Sequence, residues 1–127
     1  MPKVRIRPEG MYKPQGNAHA IKAGNTIYLS GQAGFDKKFK LVGKDDPVAQ
    51  FEQACKNMKR VLEAADAGIE HIVKVTFYVK KIDDLYKAYP VIAKYFPGTD
   101  YASLGIEVKG FADPDMLVEM DVIAVVD

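Results

Sequence analysis

The feature that most limits how this chain can fold is one apolar stripe, about five helical turns long, near its middle. Asp45-Asp46-Pro47 supplies an acidic cap and a proline at the first helical position, and Gly68 ends the segment. A helix with a single apolar face needs a second layer to bury that face. The stripe consists of apolar residues at steps of three and four: Val48, Phe51, Ala54, Cys55, Met58, Val61, Leu62 and Ala65.

Alternating apolar residues on both sides of this helix predict that the second layer is a sheet. Gly24-Asn25 predicts a two-residue hairpin turn that needs positive φ. Asp83-Asp84 predicts the cap of a second helical segment, 85–96, in which Pro90 requires a short turn and then a fresh helix. The predicted strands are 4–6, 18–23, 26–30, 72–79, 101–108 and 116–125.

This order of elements predicts an α+β fold in which two helices cover one face of a sheet of five or six strands. In strand 101–108 the apolar Ala102, Leu104, Ile106 and Val108 share one face, and Ser103 falls on the other. The other sheet face is bare, which predicts self-association around it and pockets lined by its polar residues. We expect that face to carry Leu117, Ile123, Val125, Glu119, Asp121 and Ser103. In strand 72–79 we expect Val73, Val75, Phe77 and Val79 to share one face.

Length and charge narrow the class of protein further. The 127 residues suit a single domain, 1–127. Lys plus Arg is 18 and Asp plus Glu is 17, so the net charge of +1 gives no general attraction to nucleic acid or to a membrane. Segment 1–7 has no apolar signal core, no apolar run reaches the ~20 residues of a membrane span, and no metal motif is visible. We therefore expect a cytoplasmic protein without a metal.

Several short motifs follow one another along nearly the whole chain: Gly24-Asn25, Tyr28-Leu29-Ser30-Gly31-Gln32, Gln50 with Asn57 on the long helix, Tyr95-Phe96, Ile106-Glu107-Val108 and Val118-Glu119-Met120. In their order and spacing they resemble the motifs of the Rid/YjgF family. The resemblance implies a chorismate-mutase-like α+β fold and a homotrimer with active clefts between subunits. It also implies hydrolysis of a small reactive imine or enamine metabolite to a 2-oxo acid and ammonia, without a cofactor.

At other positions the chain departs from the family pattern. The arginine that grips the substrate carboxylate in typical members is replaced by Ser103, which cannot supply a bidentate cation. Asn17, His19 and Tyr89 also differ from the residues that the family carries there. Ser30 and Glu119 are retained, so the chain resembles a divergent member of the family in which the residues that bind the substrate differ.

Two residues are the candidate catalytic residues. Imine hydrolysis needs a base beside water and a proton for the departing amine, and the resemblance gives Glu119 that role. Asp121 lies roughly 7 Å away on the same strand face, and two carboxylates this near each other raise the pKa of one of them toward the working range. The alternative is that both carboxylates are simply exposed to solvent on a strand face and take no part in a reaction. Ser30 either hydrogen-bonds the substrate or stabilises its turn.

The candidate substrate-binding residues are Asn17, His19, Gly31, Tyr89, Tyr101 and Ser103. Gly31 either serves backbone geometry or lets a ligand approach the chain. His19 either replaces a lost polar contact or is a surface or interface histidine. Tyr89, Tyr101 and Ser103 could shape the pocket for a flatter or larger substrate. Alternatively, they lie in the core or at the rim and do not contact the ligand. Cys55 lies on the apolar stripe and is expected to be buried and inert.

Two readings of function from different classes follow. The first is a divergent Rid-type deaminase or hydrolase acting at a subunit-interface cleft. The second is a non-catalytic trimeric module that binds a small molecule or a partner, which the loss of arginine at position 103 favours. Nuclease activity is disfavoured by the near-neutral charge and by the scarcity of arginine.

Overall fold

A computed structural model describes residues 2–127. Met1, the first residue of segment 1–7, lies outside the described residues. A short 3₁₀ helix, Ile69–His71, precedes the central strand. In chain order the strands are β1 Lys3–Ile6, β2 Ala20–Ala23, β3 Thr26–Leu29, β4 Ile72–Val79, β5 Ala102–Glu107 and β6 Val118–Val125, and the helices are α1 Pro47–Ala64, α2 Ile82–Lys87 and α3 Tyr89–Tyr95.

The six strands form one mixed sheet in the order β1-β2-β3-β6-β4-β5. Only β4 and β5 run parallel. The β2–β3 hairpin pairs Ala23 with Thr26 across the predicted two-residue turn, and Gly24 has the positive φ (60°) that the turn requires. The α+β architecture predicted from the order of elements is confirmed.

Helix α1 supplies most of the layer that covers the sheet. Its N-cap is Asp46, whose carboxylate accepts a hydrogen bond from the Ala49 amide (3.1 Å), and Pro47 occupies the first turn. The predicted apolar stripe packs into the main core, with Phe51 fully buried. Cys55 is also fully buried there, and burial raises the pKa of its thiol to about 12. No helix in the described part of the chain has the length and apolarity to cross a membrane.

The second helical segment divides at Ala88, with Pro90 in the first turn of α3, as the proline predicts. The predicted cap was wrong. The helix begins at Ile82, so Asp83 and Asp84 lie in its first turn rather than before it. The Ile82 amide instead donates to the Glu107 carboxylate of β5 (2.9 Å), which satisfies a helix end from a neighbouring strand.

Two predicted strand faces were wrong. In β4 the pairing shifts between Ile72 and Lys74, so Val73 is exposed and Ile72 is buried instead. In β5, Ser103 pairs with the buried Val75, which puts Ser103 on the helix-covered face.

The apolar residues of β5 consequently point away from the helices. Leu104 and Ile106 are 50% and 41% exposed. A Cβ on Gly105 would lie 2.5 Å from the Leu85 side chain of α2, so Gly105 is where this strand passes beneath a helix. Together with Tyr28, Val125 and the acids Glu119 and Asp121, Leu104 and Ile106 form the uncovered sheet face.

Candidate functional site

Two buried amide side chains of α1 hold the loops that frame the site. Asn57 donates to the carbonyls of Ala33 (3.0 Å) and Phe35 (2.8 Å). Gln50 is fully buried and makes three hydrogen bonds. It donates to the carbonyls of Gly43 (3.0 Å) and Asp115 (3.1 Å) and accepts from the Leu117 amide (2.8 Å). The loops after β3 and before β6 are therefore fixed to one helix.

These loops and the N-terminal loop enclose a cavity of about 600 Å³, hereafter the site cavity. A volume of this size suits a small organic ligand, since such sites measure about 300–1,000 Å³. The cavity brings together five of the eight predicted site residues: Asn17, His19, Ser30, Gly31 and Glu119.

Of the two carboxylic acids that line the cavity, Asp113 and Glu119, Glu119 is the candidate reactive group. It lies on the uncovered face of β6, opposite Tyr78 of β4. Burial raises the pKa of its carboxyl group, and the negative charge of Asp121 raises it further. The carboxyl group packs against Gly31: a Cβ on Gly31 would lie 2.8 Å from the Glu119 Cδ. Gly31 does not have positive φ, so the close approach of the carboxyl group explains the glycine.

Hydrogen bonds fix the orientation of two polar neighbours. The Ser30 hydroxyl donates to the Ala18 carbonyl, so its lone pairs remain free to accept a hydrogen bond from a ligand. His19 is buried, and its Nε2 lies 2.8 Å from the Tyr12 carbonyl oxygen. A carbonyl can only accept, so Nε2 carries the proton and Nδ1 is left as an acceptor in the neutral ring. His19 is thus not a surface residue in this chain.

Asn17 is held at the mouth of the cavity through its backbone. The Arg5 guanidinium of β1 donates to the Asn17 carbonyl (2.6 Å). This hydrogen bond connects the N-terminal loop to the edge strand β1. It uses only the backbone of Asn17 and does not involve the Asn17 side chain.

The other three predicted residues do not line the site cavity within one chain. Tyr89 is 66% exposed at the start of α3. Tyr101 packs beside Phe96, with ring centroids 5.6 Å apart, and lines a separate, smaller cavity. Ser103 is exposed on the edge strand β5. Their predicted roles in substrate binding require a neighbouring subunit.

Three aromatic residues that the sequence analysis did not select also line the site cavity: Tyr12, Phe35 and Phe39. All three come from loops, where no periodic pattern marks them. Burial raises the pKa of the Tyr12 phenol, and the negative charge of Glu119 raises it further, so Tyr12 lies within electrostatic reach of the carboxylate. With His19 they form a continuous set of rings, hereafter the aromatic wall.

A larger surface cavity of about 790 Å³ lies along α1, but its chemistry is different. The Asp36 carboxylate accepts from the amides of Lys38 (2.9 Å) and Lys40 (3.0 Å), and these bonds lower its pKa, so it is a poor base. The site cavity therefore remains the better candidate for a reaction. The charged residues of the larger cavity are Lys37, Lys38, Lys56, Lys59, Arg60, Asp36 and Glu63.

Comparison with known proteins gives a consistent result. A family model described as Endoribonuclease L-PSP matches residues 5–126. A RutC family protein of Pyrococcus horikoshii is 37% identical over 96% of this chain and 97% of its own length. The chain belongs to the Rid/YjgF family. Among solved Rid/YjgF structures, YyfA of Yersinia pestis superimposes with a TM-score of 0.91 at 30% identity, over 98% of this chain and 100% of its own. The E. coli YjgF product gives 0.84 at 28% identity, over 98% and 99%.

In this Rid/YjgF chain some residues of the family motifs line the site cavity, and others lie beneath the loops around it. Ser30, Gly31 and Glu119 line the site cavity. Gln50 and Asn57 lie beneath the surrounding loops and hold them in place.

Proposed function

We propose that this protein hydrolyses the C=N bond of a small imine, or of the enamine in equilibrium with it, to a carbonyl compound and ammonia. The observation that carries the proposal is the Glu119 carboxyl group, half-buried at a cavity and with a raised pKa. A carboxyl group in this state both accepts and returns a proton closer to neutral pH than an ordinary glutamate does.

The reaction needs one water and no net proton. Water adds to the imine carbon while Glu119 takes one of its protons, and the electron pair of the C=N π bond goes to nitrogen. Glu119 delivers that proton to nitrogen, which gives a carbinolamine. It then takes the hydroxyl proton and passes it to the amino nitrogen, so that the C–N bond breaks, ammonia leaves and the oxygen becomes the carbonyl oxygen. In sum, R₂C=NH plus H₂O gives R₂C=O plus NH₃, and Glu119 returns to its starting state.

The polar neighbours have defined roles in this scheme. Ser30 accepts a hydrogen bond from the substrate N–H, because its own proton is committed to Ala18. The neutral His19 offers Nδ1 as a second acceptor. With Ser103 at the family's arginine position, a substrate carboxylate has no bidentate cation to bind in this cavity.

We further propose a cytoplasmic homotrimer, with the uncovered sheet face as the interface. The exposed Leu104 and Ile106 support this arrangement, since a bare apolar strand face is stabilised by burial against another copy. Ser103 faces the helix layer and not this interface, so in that assembly Tyr89, Tyr101 or Ser103 would approach a neighbouring subunit's cavity past the edge of β5 and not through the sheet face.

The test is ammonia release from imines generated in situ by an amino-acid oxidase, using both aliphatic and aromatic amino acids. We expect acceleration over the uncatalysed rate, with a loss of about 10²-fold or more in Glu119→Gln. Asp121→Asn is the matched control, because it removes the neighbouring charge and keeps the proposed base. If no imine is hydrolysed faster than in buffer, the proposal is wrong and a binding module without turnover takes its place.

A further inference from the structure

The aromatic wall is a single contact network. The Tyr12 ring meets the rings of His19 (5.0 Å between centroids), Phe35 (6.2 Å) and Phe39 (5.0 Å). Phe35 and Phe39 stack at 4.6 Å with 23° between their planes. All four residues line the site cavity. A ligand in the cavity therefore faces ring surfaces on one side.

Phe39 is the unusual member of this wall. Its side chain is 54% exposed, and its φ of 59° lies in the left-handed region, which is unfavourable for a phenylalanine. Hydrogen bonds hold it there: the Phe39 amide donates to the Asp36 carbonyl (3.0 Å), and the Asp36 carboxylate accepts from the amides of Lys38 and Lys40. The loop thus presents an apolar ring to the cavity in a fixed position.

The base of this loop is fixed as well. The Phe35 carbonyl accepts from the buried Asn57, and the Val42 amide donates to the Gly34 carbonyl (2.7 Å). The stack of Phe35 and Phe39 is consequently anchored to α1 rather than to a free loop tip. Rigid aromatic surface of this kind gives selectivity, because little conformational entropy is lost when a ligand binds.

The wall and the reactive carboxylate share one cavity. Glu119 and the four rings line it together, and the Tyr12 ring contacts the rings of both His19 and Phe39. A substrate whose C=N carbon lies beside Glu119 therefore has its substituent in a cavity that these rings line. Neither a lysine nor an arginine stands among the described lining residues to compete for that substituent.

We propose that the substrate's side chain is a planar aromatic or conjugated group that stacks on the aromatic wall, so that arylalkyl imines are preferred to short aliphatic ones. This inference rests on the proposed function for its reaction, but its recognition element is separate from Glu119. Phe39 is the residue that determines the specificity.

The experiment compares two imines on the purified full chain, those formed from phenylalanine and from 2-aminobutyrate. Each catalysed rate is expressed as kcat/KM relative to its own uncatalysed rate. We expect a preference of about tenfold or more for the phenylalanine imine, a value typical of one good aromatic contact with its buried area. Phe39→Asn, which suits left-handed φ, should lower the rate on the phenylalanine imine much more than the rate on the 2-aminobutyrate imine, and so bring the ratio near unity.

The controls separate specificity from folding. Tyr86→Ala removes a ring that is 73% exposed on α2 and outside the cavity, and should keep the wild-type ratio. Phe39→Leu keeps apolar volume without a ring and should give a reduced preference. The proposal is overturned if the wild type shows no preference for the aromatic imine, or if Phe39→Asn lowers both rates equally.

Binding of the carbonyl products tests the wall without turnover. Phenylpyruvate should bind at least about tenfold more tightly than 2-oxobutyrate, and Phe39→Asn should remove the difference. If imines are not hydrolysed but this difference is found, the proposed function fails and the aromatic specificity stands. If imines are hydrolysed without it, the specificity fails and the function stands.

Discussion

The carboxyl group of Glu119 packs directly on Gly31, so closely that the methyl group of an alanine at position 31 would overlap with it. One residue comes from β6 and the other from the segment that follows β3, and the pairing of Gln32 with Met120 brings them together. Because Gly31 has no side chain, the carboxyl group of Glu119, the proposed base, can occupy this position.

Gly31→Ala should displace the Glu119 carboxyl group and lower kcat by about tenfold or more, because small misplacements of a catalytic group are costly. Its melting temperature should change little, since the added methyl group faces the cavity. Gly110→Ala is the matched control, because a Cβ there meets nothing within 4 Å. Equal kinetics for the two variants would show that the carboxyl group's position is not critical.

Ionisation of Glu119 should destabilise the folded chain. Burial, and second the charge of Asp121, raises the pKa of the Glu119 carboxyl group in the folded chain above its value in the unfolded chain. Folding therefore favours the protonated carboxyl group. Its contribution to the free energy of unfolding is complete below the pKa of the unfolded chain and is lost as the pH rises through the pKa of the folded chain. Urea unfolding of Glu119→Gln should show no gain over the wild type at acidic pH and a gain at pH 8. A gain independent of pH would contradict the assignment.

Asp121→Asn should move the acidic limb of the pH–rate profile to lower pH. The change removes the second cause of the raised Glu119 pKa and leaves burial, the first cause, in place. The profile of kcat/KM against pH measures this shift. An unmoved acidic limb would mean that a different group controls it.

Gln50→Ala should lower the free energy of unfolding by about 3 kcal/mol, because three backbone partners lose hydrogen bonds of about 1 kcal/mol each. Gln53→Ala on the same helix is the control. Gln53 makes one hydrogen bond, to Asn57 (3.0 Å), and its loss should cost no more than about 1 kcal/mol. Equilibrium unfolding in urea compares the two, and equal costs would contradict the role given to Gln50.

Leu104→Lys combined with Ile106→Lys should prevent assembly. Both side chains are exposed on the uncovered sheet face, where buried lysines would repel between copies. Light scattering should give the mass of a trimer for the wild type and of a monomer for this variant. Tyr86→Lys, on α2, should leave the mass unchanged, and a monomeric wild type would refute the proposed interface.

Periodicity made α1 predictable, since its buried residues recur as the stripe requires. It failed for β5, because both sides of this edge strand are exposed in one chain and its apolar residues carry no signal of which face is covered. It failed for Val73 because a local shift in pairing, which no pattern of residues announces, turns the side chain outward.

The candidate site divides in the same way. Ser30, Gly31 and Glu119 belong to short motifs, the first two directly after β3 and the third on β6, and these motifs could be recognised in the sequence. Tyr12 and Phe39 reach the cavity from loops whose shape depends on hydrogen bonds between a side chain and the backbone, such as His19 with the Tyr12 carbonyl and the Lys40 amide with the Asp36 carboxylate. Such contacts have no period, and the aromatic wall was visible only in three dimensions.

The single cysteine has a practical consequence. With a pKa of about 12, only about one Cys55 thiol in 10⁵ is ionised at pH 7, and the side chain is also fully buried. Electrophilic metabolites cannot alkylate it while α1 remains packed on the sheet. The rate at which iodoacetamide labels Cys55 therefore reports how often the core opens, and a bound ligand that stabilises the fold should lower that rate.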